Sequence, residues 1–115
     1  RTGEKNHAVT ETNFNDGWLL IDFSRRQVFV DGKDAKLTRK EYALVQEFVL
    51  NAGILLEYQR LLRDVWGASY KNERKLVQAM VRRLRCKIEA DLDNPQYIQA
   101  VEGVGYRFKE ILKNH

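Results

Sequence analysis

The sequence is poor in the residues that build disulfide scaffolds, metal sites and common catalytic centres. It contains a single cysteine, Cys86, which excludes an internal disulfide and disfavours a site with several thiol ligands. Its two histidines, His7 and His115, lie in termini that we expect to fray, so neither is a candidate base or metal ligand. It also lacks a phosphate-binding loop, a zinc-protease helix motif and a nucleophile elbow. We therefore predict no enzyme activity, no metal and no cofactor.

Long hydrophobic runs are missing as well. No stretch approaches the ~18 apolar residues that a membrane span needs, and the polar N-terminus lacks the apolar segment of a signal peptide. Together with the lone thiol, these features favour a cytoplasmic protein without a membrane partner. Because the chain begins at Arg1 rather than Met, we expect it to be part of a longer protein.

What the sequence does contain is enough apolar material for one domain. Of its 115 residues 43% are hydrophobic, which suffices for one modest core. Lys and Arg number 20 against 16 Asp and Glu, and this formal charge of +4 is too small to identify a nucleic-acid partner by itself. Residues 1–13 are polar and without apolar periodicity, so we expect a linker remnant there and a folded domain over 14–112.

Strand and helix signals are segregated along the chain. Alternating apolar residues and an Asp-Gly turn predict a small antiparallel sheet over residues 14–37. Three helices should follow: one opened by a capping box of Thr38 and Glu41, one over 57–66 and one over 72–90. Two strands near 97–101 and 106–109 flank a glycine-containing tip. This order predicts an α+β fold rather than a parallel α/β fold.

The third helix has two faces of opposite character. At about 100° per residue, the apolar residues fall in one arc, which predicts a buried stripe of Val77, Met80, Val81, Leu84 and Ile88. The opposite face carries Lys75, Gln78, Ala79, Arg82 and Cys86, flanked by Arg83 and Arg85. Lys and Arg neutralise DNA phosphates, Arg and Gln bond guanine and adenine edges, and an alanine methyl can touch thymine. A helix of this kind, joined by a short turn to a preceding helix, favours binding in the major groove.

Other interpretations of this pattern stay open. A cationic helix face is often only a solvated surface, although a glycine-rich hairpin after the helix is typical of a DNA-binding wing. A winged helix can instead be a protein-interaction module without DNA readout, docking through Phe14, Trp18 or Leu20 on the sheet. A nuclease would need clustered carboxylates for a divalent metal, whereas the acidic residues here are spread over turns and helix ends.

The chain resembles one family in four blocks that occur in order and with matching spacing. These are L-T-R-K-E-Y at 37–42, L-L-R-D-V-W-G at 61–67, V-R-R-L-R-C-K-I-E at 81–89 and V-E-G-V-G-Y-R-F at 101–108. They are similar to blocks of the OmpR/PhoB-type winged-helix effector domain of two-component response regulators, in a KdpE-like form. The resemblance implies a winged helix-turn-helix that binds specific double-stranded DNA and regulates transcription. Helix 72–90 would lie in the major groove and the wing 101–107 near the minor groove.

The same resemblance implies further partners. Family members usually carry an N-terminal receiver domain, phosphorylated by a sensor histidine kinase, which is not part of this sequence; residues 1–13 would link to it. Phosphorylated members typically bind direct-repeat DNA sites head to tail. The loop between the second and third helices often touches RNA polymerase, a role that would fall to Ala68, Ser69, Tyr70 and Lys71.

Matching positions also imply roles for single residues. DNA backbone contacts would come from Trp66, Lys75, Arg82, Arg85 and Tyr106, base contacts from Gln78, Ala79 and Arg83, and Arg107 would add a cation at the wing. Glu102 departs from the family pattern, because some relatives have at this position an Arg that enters the minor groove. A carboxylate is repelled by the phosphates that border that groove. Trp66 and Tyr106 could instead belong to the core. Arg83 or Arg85 could pair with Glu89, Asp91 or another carboxylate.

Overall fold

The computed structural model describes residues 8–9 and 13–113, and in this part of the chain the strands form two separate sheets. In chain order the strands are β1 (Ala8–Val9), β2 (Asn13–Asn15), β3 (Leu19–Asp22), β4 (Gln27–Val30), β5 (Lys33–Asp34), β6 (Leu55–Glu57), β7 (Ile98–Val101), β8 (Gly105–Phe108) and β9 (Leu112–Lys113). The first sheet has the order β5-β4-β3-β2-β1-β9, antiparallel except for the β1–β9 pair. The second has the order β6-β8-β7 and is antiparallel throughout.

Strand β1 differs from the sequence-based expectation of a weakly structured linker over residues 1–13. Ala8 and Val9 pair with β2 on one side and with β9 on the other. The pairing with β9 joins segments from near the two ends of the chain, so local composition could not reveal it. The remainder of the predicted linker before Asn13, together with His7 and His115, lies outside the described residues.

The first helix, α1 (Arg39–Leu50), begins at the predicted capping box. The Glu41 N–H donates to Thr38 Oγ1 at 3.2 Å, and the Thr38 N–H donates to Glu41 Oε1 at 2.9 Å. These reciprocal bonds satisfy two N–H groups that have no partner inside the helix. The prediction of the helix start is therefore confirmed at atomic detail.

The second helix covers nearly all of the predicted range of 57–66, but it changes its winding. An α-helical turn, α2 (Tyr58–Leu61), runs directly into a π-helical turn over Leu62–Trp66. The π-helical turn closes with a hydrogen bond from the Gly67 N–H to the Leu62 carbonyl at 3.0 Å. Gly67 then leaves the helix at a φ of 129°, which a residue with a Cβ rarely adopts.

The third helix, α3 (Arg74–Ile88), lies inside the predicted range of 72–90. Its start is delayed because Asn72 has a φ of 59°, outside the right-handed helical region. It ends where Glu89 turns to extended backbone. The Glu89 carboxylate accepts hydrogen bonds from the N–H groups of Gln96, Tyr97 and Ile98, which fixes the loop that leads from α3 into β7.

The core joins the three helices to both sheets, and the predicted stripe on α3 is fully part of it. All five stripe residues are buried, as are side chains from α1, from β3 and from the second sheet: Leu44, Phe48, Ile21, Leu56 and Phe108 among them. The Trp18 indole N–H donates to the Ile88 carbonyl at 2.8 Å and so ties the end of α3 to the first sheet. The α+β winged-helix prediction is confirmed. Of the helices described, none has the length and apolar character to pass through a bilayer.

Candidate nucleic-acid interface

The outer face of α3 is the predicted DNA-reading surface, and the structure leaves it open. Its five members, hereafter the α3 outer face, are all exposed: Lys75, Gln78, Ala79, Arg82 and Arg83. They line an open groove of about 910 Å³ together with residues of the following loop and of β8. Among the described residues, none from the first sheet lines this groove, so the described parts of the terminal strands leave the surface uncovered.

The cations of this face differ in how firmly they are held. The Arg83 Nε lies 3.7 Å from Glu41 Oε2 on α1, yet 57% of the arginine side chain stays exposed. Arg83 also donates from Nη2 to the Met80 sulfur at 3.8 Å. Within the described part of the chain, Lys75 and Arg82 form no ion pair, so both charges are directed only to solvent. A polyanion would meet one anchored and two unpaired cations here.

Arg85 serves the fold. Its Nε and Nη2 both donate to the Ile98 carbonyl, at 3.2 and 2.8 Å, and its guanidinium lies 5.7 Å from the centre of the Tyr106 ring. These contacts fasten α3 to β7 and β8. Its partner is a backbone carbonyl rather than one of the carboxylates that the sequence suggests. A phosphate contact from Arg85 stays a prediction.

Two aromatic rings, Tyr58 and Tyr106, pack together beside α3, and Tyr106 lines the groove. Tyr106 is buried and meets Tyr58 edge-on, with ring centroids 5.6 Å apart. Burial, with a hydrogen bond to the Tyr58 phenol, raises the pKa of Tyr106 to about 12. The Tyr58 hydroxyl accepts a hydrogen bond from Gln78 Nε2 at 3.5 Å, and the Arg74 guanidinium lies 4.3 Å from the Tyr58 ring centre. Tyr106 therefore packs in the core and borders the groove at once.

Sequence reasoning missed Tyr58 and Arg74. Arg74 could have been found, because it lies four residues before Gln78 on the same helix and therefore shares its face. Tyr58 gave no local signal, since it reaches Gln78 across 20 residues of sequence. Its place in the site depends on how α2 packs against α3.

The loop between the second and third helices is exposed and internally braced. Ala68, Ser69, Tyr70 and Lys71, the candidates for a polymerase contact, are all exposed. The side chain of Gln59 spans this loop: its Nε2 donates to the Tyr70 carbonyl at 2.9 Å, and its Oε1 accepts from the Asn72 N–H at 3.4 Å. Trp66, at the start of the loop, is half-buried and packs against the core.

The wing, residues 101–107, is the end of the β7–β8 hairpin, and its two glycines have different roles. Gly103 at the tip has a φ of 78° and open space around it. At Gly105 a Cβ would collide with the Leu56 carbonyl oxygen and lie 2.9 Å from the Glu57 Cα, so β6 requires glycine there. The Tyr58 N–H donates to the Val104 carbonyl at 3.2 Å, which fastens the wing to the start of α2.

The structure does not bring Arg107 to the α3 outer face. Successive strand residues point to opposite sides of a sheet, so Arg107 faces away from the groove that Tyr106 borders. It lines a different surface depression with Gly53, Gln99, Lys109 and Glu110. Likewise Phe14, one of the candidates for a protein-docking surface on the sheet, is only 1% exposed and belongs to the core. That placement removes one of the three residues on which the protein-interaction alternative depended.

Comparison with known proteins gives consistent relatives. Residues 32–108 match the family described as transcriptional regulatory protein, C terminal. The chain is 34% identical over 109 residues to the sensory transduction protein RegX3 of Mycobacterium tuberculosis H37Rv, covering 95% of this chain and 48% of RegX3. It is 43% identical over 107 residues to the transcriptional regulatory protein AfsQ1 of Streptomyces coelicolor, covering 93% and 46%. The chain thus spans about half the length of the curated relatives it matches.

Solved structures agree in fold. The response regulator DrrB of Thermotoga maritima, an OmpR/PhoB homolog, superposes with a TM-score of 0.77 at 32% identity, over 84% of this chain and 44% of DrrB. The RstA DNA-binding domain of Klebsiella pneumoniae, solved in complex with the RstA box, gives a TM-score of 0.75 at 28% identity, over 84% of this chain and 96% of that domain. Both superpositions support the winged-helix architecture that frames the groove.

Proposed function

The chain belongs to the family of C-terminal domains of transcriptional regulatory proteins, the OmpR/PhoB-type domains of response regulators, and from this premise we propose that it binds specific double-stranded DNA sites as a response-regulator output domain. One observation carries the proposal. The α3 outer face presents cations, an amide and a methyl group to solvent, while the opposite face of the same helix is fully buried. The helix is therefore fixed in the molecule and free to enter a groove.

In this proposal α3 lies in the major groove. Lys75 and Arg82 neutralise phosphates, since neither charge is paired within the described residues. Gln78, Ala79 and Arg83 face the base edges. Trp66, Arg85 and Tyr106 contact the DNA backbone, and the wing 101–107 lies near the adjacent minor groove. Arg107, which points away from the groove, would reach only a phosphate beyond the wing.

The finer assignments belong to the same proposal. The exposed loop Ala68 to Lys71 is the candidate contact to RNA polymerase. The two hydrogen bonds of the Gln59 side chain hold this loop in a defined conformation, which supports that role. Residues 14–112 would be the DNA-binding domain and residues 1–13 the connection to a receiver domain that a sensor histidine kinase phosphorylates. Pairing on direct repeats, a cytoplasmic location and the KdpE-like form complete this set of proposals.

A salt titration of a double variant tests the function. Duplexes are first selected from a random pool with the wild-type domain, and Kd for the selected duplex is measured over a range of salt. In Arg82→Ala/Arg83→Ala we expect weaker binding and a slope of log Kd against log salt that is shallower by about 0.9 for each phosphate that the variant no longer neutralises. The matched control Arg25→Ala/Lys33→Ala removes the same charge from the exposed turn after β3 and from β5. Equal affinity and slope in the α3 variant and the wild type would refute the proposal.

A further inference from the structure

Tyr58 stands at the centre of a chain of contacts that ends on the α3 outer face. Its hydroxyl accepts from Gln78 Nε2 at 3.5 Å, and its ring meets the Tyr106 ring edge-on. The chain of contacts therefore joins α2, α3 and β8. Gln78 is the only amide on the α3 outer face, and Tyr58 is the residue that holds its side chain.

Tyr58 is itself fixed from several directions. Its backbone N–H donates to the Val104 carbonyl of the wing at 3.2 Å. One side of its ring carries the Arg74 guanidinium, 4.3 Å from the ring centre, and its edge contact with Tyr106 spans 5.6 Å between centroids. Both a cation–π contact and an edge-to-face contact hold an aromatic ring in a preferred orientation. The hydroxyl consequently occupies a defined place beside the groove.

A glutamine amide has one acceptor oxygen and two donor hydrogens. When one Nε2 hydrogen points to Tyr58, the other hydrogen and Oε1 remain free. These two groups form the bidentate pattern that matches N7 and the N6 amino group of adenine in the major groove. An unheld glutamine would have to lose rotamer freedom on binding, which costs side-chain entropy.

We propose that Tyr58 is a positioning residue for base readout: its hydroxyl holds the Gln78 amide and thereby strengthens discrimination for adenine at the base pair that Gln78 faces. The inference rests on the proposed DNA-binding function. It assigns to α2 a share in specificity that does not require Tyr58 to touch DNA.

Four proteins test it: the wild type, Tyr58→Phe, Gln78→Ala and the double variant. Each is used to select duplexes from one random pool, and Kd is then measured for matched duplexes that differ at single base pairs. The base pair at which Gln78→Ala loses discrimination is the one that Gln78 reads. Tyr58→Phe keeps the ring, the Arg74 contact and the backbone bond to Val104, and removes only the hydroxyl.

We expect Tyr58→Phe to lower adenine discrimination at that base pair by about two- to tenfold, the size of one missing hydrogen bond. The salt slope and discrimination at other positions should not change, and the double variant should match Gln78→Ala. Gln99→Ala is the matched control for Gln78→Ala, because it removes an exposed amide from β7, outside the groove.

The inference is overturned if Tyr58→Phe keeps wild-type discrimination, if its effect adds fully to that of Gln78→Ala, or if it weakens binding to all duplexes equally. It is also overturned if the wild type selects a site whose Gln78-dependent base pair is not adenine-containing, although the DNA-binding function then stands. A wild type that selects no duplex would refute both.

Discussion

The Nζ of Lys87 on α3 lies 2.7 Å from Oε1 of Glu41 on α1, a carboxylate whose side chain is only 2% exposed. The same carboxylate caps α1 through the Thr38 N–H and attracts Arg83 of the α3 outer face. Burial acts to raise the pKa of Glu41, but the Lys87 and Thr38 hydrogen bonds outweigh it and hold the pKa below its ordinary value. One buried charge thus caps the first helix and fixes α3 against it.

We expect Glu41→Ala to lower the free energy of unfolding by about 2–3 kcal/mol, because it removes the capping box and leaves Lys87 without its partner. Glu41→Gln should cost less, since a glutamine also completes a capping box. Urea denaturation measures both, with exposed Glu102→Gln as the control. Equal losses for Ala and Gln would show that charge pairing rather than capping dominates, and no loss for either would contradict the assignment.

Glu47 makes stability depend on pH in the opposite direction from an ordinary paired carboxylate. Burial, followed by a hydrogen bond to Asp64, raises its pKa from 4.5 to about 7. Arg60 lies between the two acids, with Nε 3.7 Å from Glu47 and 3.5 Å from Asp64. The folded state therefore binds the Glu47 proton more tightly than the unfolded state does. The contacts of Arg60 with both acids join α1 to the π-helical turn.

The direction in which the free energy of unfolding changes with pH follows from the linkage between proton binding and folding. The stabilisation from protonated Glu47 is fully present below pH 4.5 and is lost as the pH rises through about 7. Glu47→Gln imitates the protonated form, so it should abolish this loss over that interval. Unfolding free energies from urea titrations across the same interval check it, with Glu102→Gln as a control that removes an exposed carboxylate elsewhere. A Glu47→Gln protein with an unchanged profile would contradict the raised pKa.

The parts of the fold that local pattern determines are predictable from the sequence. The capping box of Thr38 and Glu41 and the stripe from Val77 to Ile88 depend on spacing within one helix, and the structure confirms both. The charged and amide residues of the α3 outer face are predictable for the same reason, as the complement of that stripe.

Contacts between elements cannot be predicted in this way. The partner of Lys87 lies 46 residues away on α1, and the carbonyl that holds Arg85 lies 13 residues away on β7. The sheet pairing of β1 depends on a strand near the other end of the chain. The expectation for Arg107 rests on its charge alone. The alternation of side chains along β8 turns Arg107 away from Tyr106 and from the groove.

The two wing glycines should differ sharply on substitution. Gly105→Ala places a Cβ against the backbone of β6, where nothing can move without breaking the sheet, so we expect a loss of at least about 2 kcal/mol. Gly103→Ala meets open space and is penalised only for its positive φ, by about 1 kcal/mol. Thermal unfolding of both variants measures the difference. A Gly105→Ala protein as stable as Gly103→Ala would show that β6 does not approach the wing as closely as described.

Glu102 provides a gain-of-binding test of the wing. It is exposed in the turn before Gly103, and in the proposed binding mode, with the wing near the minor groove, its carboxylate would repel the DNA phosphates. Glu102→Arg should therefore tighten binding to the selected duplex and make the salt slope steeper by about 0.9 if one new phosphate is neutralised. Glu102→Gln separates the two effects, because it removes the repulsion without adding a cation and should tighten binding without the full change in slope. If both variants bind as the wild type does, the wing lies away from the DNA, and α3 with its supporting loop is left to make the whole contact.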